Sequence, residues 1–354
     1  ARNDVLSYLD LSSMNDLRIS VKEILSTLCT LYRNENNKLM GGYNLNSLWL
    51  DPSQVKLVDS KDEQLYEDLE QIFDVATFYE ALTSAKANKY IEKNGLKNMP
   101  APTIKLDDDD PPAISVMSMY YALDYFNEDI KNIYKSQYNS KNHKMNYKYN
   151  EEIEVDYISQ NRNGEVYLGK DFCGATLTIQ NLGISFFLPN EESALPSSIM
   201  GDVLDKNYKI KESSYVDYSG NETETTYHNL TINAPYFSLD NTVSLEHESL
   251  SKYLPIATDK GAGSRLAEAL NGEDLFLKYI MQFSKMKFNY DGFYSCSVTI
   301  GAIGDKSSEP IHYEEFELNL NHPYVFEVEK TIRVDSNYER LPIVIGQIVT
   351  PTYE

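Results

Sequence analysis

Apolar residues recur at helical spacing early in the chain. Val5, Leu6 and Leu9, then Ile24, Leu25, Leu28 and Leu31, predict a helix over 2–31. NLNSLWLD (44–51) reads as a short strand that stops at Asp51–Pro52, because proline cannot donate to a ladder. EQLYEDLEQIF (63–73) and SAKANKYIEK (84–93) read as helices, the second closed by Asn94–Gly95. KLDDDDPP (105–112) breaks the chain, and the apolar run AISVMSMYYAL that follows predicts a buried strand.

From about residue 143 the texture changes to strand and turn. NYKYNEEIEVDYIS (146–159) alternates, NRNGE (161–165) reads as a turn, and GISFFLP (183–189) is a continuous apolar run closed by Pro189. LTINAPYFSL (230–239) predicts another strand, and NHPYVFEVEK (321–330) with LPIVIGQIV (341–349) predicts a β pair. Helices come early and strands late, without βαβ alternation. This favours an α+β fold with large, mostly antiparallel sheets. With no repeat and no linker, 1–354 reads as a single domain.

One segment departs from this regularity. FNYDGFYSCSVTIGAIGDKSSEP (288–310) starts with strand-forming residues, loses its apolar pattern near Gly301, and ends small, polar and charged. It reads as a strand running into an exposed loop.

Charge narrows the partners. Against 54 acidic residues stand 32 Lys and Arg, a net charge of −22, which disfavours nucleic acid and anionic membrane surfaces. No apolar stretch approaches the roughly 20 residues of a membrane-spanning helix. Cys29, Cys173 and Cys296 cannot all pair within the chain, and no disulfide framework is expected. The first residue, Ala1, is not Met, so a processed or trimmed start is expected.

Familiar chemistry is missing. His143, His228, His247, His312 and His322 show no paired ligand spacing, so neither a metal nor another cofactor is expected. GAGSR (261–265) reads as a loop entering the helix RLAEAL rather than a dinucleotide fingerprint. Asp107–Asp110 lacks the alternate spacing of a calcium loop and reads as a solvated turn. The sequons NET (221–223) and NLT (229–231) matter only in a eukaryotic secretory setting. There is no nucleophile elbow and no Walker loop, and an enzyme is not expected.

Several stretches, in order, resemble the serpin family. NLNSLWLD resembles its central-sheet strand, ANKYIEKNGLK (87–97) a helix end, and ISFFLPNEES (184–193) a strand closed by Leu-Pro. APYFSL (234–239) and FSKMKFNYDG (283–292) are similar to two further strands, the second running into the hinge. NHPYVFEV (321–328) and IVIGQIVTP (343–351) resemble the paired C-terminal strands. The resemblance runs from residue 44 to the end, and Ala1 falls at the family's fourth helix, so an N-terminally truncated form lacking the earlier helices is expected. In SMYYALDYF (118–126), Ser118 and Phe126 stand where the family has Asn and Trp, changes expected to weaken local hydrogen bonding and packing.

The resemblance implies a large central sheet with further sheets and surrounding helices. It also implies an inhibitor of serine or cysteine endopeptidases. A reactive loop is cleaved, its hinge inserts into the central sheet, and the acylated protease is carried away. Residues 292–315 become the exposed hinge and reactive-loop region, with Gly292, Phe293, Tyr294, Ser295, Cys296, Ser297, Val298 and Thr299 as the hinge. The family's spacing sets the bait bond at Lys306–Ser307, matching a trypsin-like protease, and the extra length before Pro323 can move it towards Ser308 or beyond. Residues 293, 295, 297 and 299 share one strand face. If that face turns inward, Ser295, Ser297 and Thr299 are small enough and Phe293 is not, with an overpacking cost of about 1–3 kcal/mol. The alternative is a non-inhibitory binding or carrier protein of the same fold whose loop does not insert. By family resemblance the protein is expected to be secreted and monomeric.

Overall fold

The run Leu182–Pro189 shows how the strands earn their composition. Leu182, Ile184, Phe186 and Leu188 enter one hydrophobic cluster, whereas Phe187 enters another with Tyr167, Phe172 and Val325. A strand buried on both faces needs no polar alternation. The structure is a computed structural model. It describes residues 12–33, 37–54, 75–97, 99, 101–126, 128–179, 182–216, 221–258, 278–296, 313–334 and 337–353.

In chain order the elements begin with α1 (Met14–Leu28), β1 (Leu31–Arg33), β2 (Leu39–Leu50), β3 (Val75–Phe78), α2 (Ser84–Asn94), β4 (Ile114–Tyr125) and α3 (Glu128–Tyr138). They continue with β5 (Lys144–Tyr149), β6 (Glu151–Leu168), β7 (Phe172–Thr178), β8 (Leu182–Pro189), α4 (Ser197–Leu204), β9 (Lys209–Ile210), β10 (Ser213–Val216) and β11 (Glu222–Thr225). Then come β12 (Tyr227–Pro235), β13 (Phe237–Glu246), α5 (His247–Leu250), α6 (Pro255–Thr258), β14 (Tyr279–Asn289) and β15 (Gly292–Cys296). The last strands are β16 (Glu315–Asn319), β17 (Tyr324–Val334) and β18 (Asn337–Ile348).

One sheet has the order β1-β2-β4-β15-β14-β13, with β3 on β2; a second has β16-β12-β6-β7-β8-β17-β18, with β5 and β9 on β6; β10 and β11 form a third. This is the mixed α+β architecture expected. The chain groups into two compact units: residues 1–31, 42–121 and 240–285 form the first, and 32–41, 122–239 and 286–354 the second.

In the first unit, Trp49 of β2 stacks on Phe78 at 4.2 Å, and Tyr90 of α2 stands edge-on to both rings. The Tyr90 hydroxyl donates to the Asn46 carbonyl at 3.1 Å. Ser118 donates to the Asn46 side chain at 2.6 Å, so this position keeps a hydrogen bond. Asp107–Asp110 is exposed as expected. Within it the Asp108 carboxylate accepts from the Ser84 amide at 2.7 Å, satisfying a donor at the start of α2.

In the second unit, Phe186, Phe237, Phe288 and Phe326 belong to one cluster, with Phe237 5.1 Å from Phe326 and 5.5 Å from Phe288. β17 pairs antiparallel with β18, as the apolar pattern predicts. Two expectations fail here. NRNGE is no turn: Asn161–Glu165 lies inside β6, paired with β12 from Tyr157 to Glu165. Gly164 instead allows close approach, since a Cβ there would meet Leu230 Cδ1 at 2.7 Å. LTINAPYFSL is two strands, β12 and β13, parted at Tyr236. The expected helix 63–73, the start of the first helix and 261–265 lie outside the described residues.

A polar network surrounds the buried side chain of Glu329. Glu329 accepts from Ser185 Oγ at 2.9 Å and from Arg340 at 3.2 Å, and Arg340 also holds Glu165 at 3.2 Å and the Tyr167 hydroxyl. Burial pushes Glu329 up to about 7; Glu327 adds to the rise, while Ser185, Lys206 and Thr176 oppose it. A carboxyl raised in the folded state stabilises most when protonated, and that contribution is lost as pH climbs through about 7. Stability should therefore fall by on the order of 2 kcal/mol between about pH 5 and 8. Glu329→Gln should flatten this slope in denaturant titrations, and an unchanged slope would refute the assignment.

Candidate functional site

The site is built on the turn that joins β14 to β15. Asn289, Tyr290, Asp291 and Gly292 reverse the chain, and the Asn289 side-chain oxygen accepts the Asp291 amide at 2.8 Å, the local hydrogen bond asparagine favours in turns. The Asp291 carbonyl accepts the Phe126 amide at 3.0 Å, and its carboxylate meets Lys131 of α3 at 2.6 Å. That carboxylate raises the Lys131 ammonium above its usual range against the effect of burial.

From this turn β15 enters between β4 and β14, antiparallel to β4. Gly292 faces Tyr125, Phe293 faces Asp124, Tyr294 faces Leu123 and Ser295 faces Ala122. Gly292 has φ +145°, a backbone conformation that strains any residue with a Cβ. A Cβ there would also press on the Asp124 carbonyl oxygen and come 2.7 Å from Tyr125 Cα. Asp124 is itself buried, and its carboxylate accepts the Leu182 amide at 2.8 Å.

The next two residues are held from opposite faces. Phe293 is 0% exposed and belongs to the same cluster as Phe126, Phe186 and Phe288. The expected steric obstacle is therefore corrected: its face does turn inward, and the core already accommodates the ring. Burying such a side chain is worth about 1.5–3 kcal/mol. Tyr294 packs edge-on to Tyr125 at 5.2 Å, and burial pushes its hydroxyl well above the ordinary tyrosine range. Lys38 lies 4.9 Å over the other ring of this pair, Tyr125, and pairs with Glu128 at 3.3 Å.

The predicted site thus divides. Gly292, Phe293, Tyr294, Ser295 and Cys296 form a strand, so the region expected to be exposed from 292 begins inside a sheet. Ser297, Val298, Thr299, Lys306 and Ser307 lie outside the described residues. Asn289, Asp291, Lys131, Lys38 and Tyr125 were not anticipated. The Asn-Tyr-Asp-Gly string carried the available signal, since this composition marks a tight reversal.

Replacing Gly292 with alanine should cost about 1–3 kcal/mol from backbone strain alone. Hydrogen exchange at the Phe293 and Tyr294 amides should speed up with it. Wild-type stability and exchange in that variant would show that the close approach to Asp124 is not required.

The sequence matches no protein-family model and no curated protein. Solved structures do match. Serpin48, a highly specific serpin of the insect Tenebrio molitor, is similar with a TM-score of 0.62 at 14% identity, over 99% of this chain and 85% of that one. Mouse protein-Z dependent protease inhibitor gives 0.61 at 13% identity, over 99% and 84%. A loop-inserted structure of a cleaved ovalbumin mutant gives 0.57 at 14% identity, over 93% and 78%. The two units and the sheet that receives β15 therefore belong to a known architecture: the chain has the serpin fold.

Proposed function

We propose that this protein inhibits serine or cysteine endopeptidases by cleavage and insertion of the loop that follows β15. The observation that carries the reading is the position of β15 between β4 and β14. Strand addition is easiest to extend where it has begun, because each further residue adds ladder hydrogen bonds without another closure cost. β4 has 12 residues, of which Ala122–Tyr125 face β15. Continued in the same register, Cys296–Ile303 would complete the strand, leaving Gly304 and Asp305 before Lys306.

Alternation would turn Ser295, Ser297, Thr299 and Gly301 to the side that Phe293 occupies. These are small residues, and Phe293 is already buried before insertion starts. Its bulk then adds nothing to the insertion barrier. In the proposed reaction the protease nucleophile attacks the Lys306 carbonyl, the Ser307 amine leaves, and insertion outpaces hydrolysis of the acyl bond. Among structures of the same fold, the mouse protein is a protease inhibitor and the ovalbumin mutant carries an inserted loop.

The second reading, a non-inhibitory binding or carrier protein, draws on the same strand. A hinge docked through both Phe293 and Tyr294 rests at low energy and gains less on insertion.

Incubation with trypsin, followed by a denaturing gel, should give a covalent complex, and protein cleaved in the loop should melt well above the intact protein. Clean cleavage without complex refutes inhibition; no rise in melting temperature refutes insertion. Phe293→Ala should cost about 3–5 kcal/mol of docking and core packing. Phe293→Thr should not increase complex formed per cleavage event; an increase would restore the steric obstacle.

A further inference from the structure

Four tyrosines gather at the turn that starts β15. Tyr138 ends α3, Tyr236 parts β12 from β13, Tyr290 lies in the turn, and Tyr353 follows β18. Tyr138 is 5.6 Å from Tyr236, 5.3 Å from Tyr290 and 6.4 Å from Tyr353; Tyr236 is 6.3 Å from Tyr290 and 5.5 Å from Tyr353. The rings pack directly on one another at the separations aromatic pairs favour. The Tyr236 hydroxyl is buried without a hydrogen-bond partner among the described residues, so ring packing holds it there.

Tyr353 also reaches the turn through a hydrogen bond. Its hydroxyl accepts from Asn289 Nδ2 at 2.8 Å, and the Oδ1 of the same amide accepts the Asp291 N–H at 2.8 Å. One side-chain amide therefore bridges Tyr353 to the turn backbone and is oriented by both partners. The segment carrying Tyr353 is anchored independently: the Ser238 amide donates to the Thr352 carbonyl at 2.6 Å, and the Tyr147 hydroxyl to the Val349 carbonyl at 3.0 Å.

We infer that Tyr353 is a positioning residue that sets the register in which β15 pairs with β4. Register matters here because side chains alternate along a strand. A slip of one residue would turn Tyr294 inward in place of Phe293. The turn is the fixed end from which every later pair is counted. A turn held by rings, by the Asn289 bridge and by Lys131 cannot slide. The effect on protease trapping rests on the insertion reading above; the effect on β15 itself does not.

Tyr353→Ala removes the rings' contact and the hydrogen bond, and Tyr353→Phe removes the hydrogen bond alone. Amide exchange at Phe293 and Tyr294 should speed up on the order of tenfold in the first and about threefold in the second, a step of tenfold being about 1.4 kcal/mol. Amides of β7 and β8 in the same unit should keep wild-type rates. With trypsin, Tyr353→Ala should give several-fold more cleaved, untrapped protein per complex. A merely structural role would speed exchange at 236–238 and 349–353 and leave 293 and 294 unmoved, which would overturn the inference. If Tyr353→Ala does not fold, Tyr353→Phe decides by the same exchange reading. If the wild type traps no protease, the proposed function fails while exchange still decides this one.

Discussion

Burial of Phe293 beside a glycine that can hold φ +145° is the constraint on which the candidate site depends. Gly292 lets the backbone pass against the Asp124 carbonyl, and only that passage delivers the next side chain to the core. A residue with a Cβ at 292 would push β15 off β4. Phe293 would then lose its burial and Tyr294 its edge contact with Tyr125. The strand is short, and its hold comes from two aromatic residues facing opposite ways from one backbone.

The surroundings keep that backbone in place with paired charges despite the acidic excess of the chain. Lys131 meets Asp291, and Lys38 meets Glu128 while covering Tyr125. These groups are partly exposed, where an isolated ion pair contributes little. Their value lies in orientation, because each fixes an element that contacts the turn. Away from the turn, Glu329 is the buried member of a network completed by the partly exposed Arg340 and Glu165. There burial makes the Glu329 charge costly and couples stability to pH.

The same backbone position serves both proposed outcomes, trapping and quiet binding, and the balance between them is energetic. A docked hinge shortens the path to insertion and lowers the resting energy from which insertion starts. Which effect dominates depends on how much the small residues beyond Cys296 add to the sheet, since Phe293 and Tyr294 contribute in both states.

Much of this was legible in the chain. A continuous apolar run closed by Pro189 predicted β8, the Asn94–Gly95 stop closed α2, and paired apolar runs predicted β17 and β18. Ordered motifs implied the fold that the solved structures share. Local patterns determined these features because period, caps and breakers act within a few residues. Tertiary structure alone decided the rest. Turn-like NRNGE became strand because β12 supplied partners for its backbone, and bulky Phe293 fitted because residues from distant parts of the chain left room for it. Tyr353 and Asn289 are 64 positions apart, and no local pattern encodes their hydrogen bond.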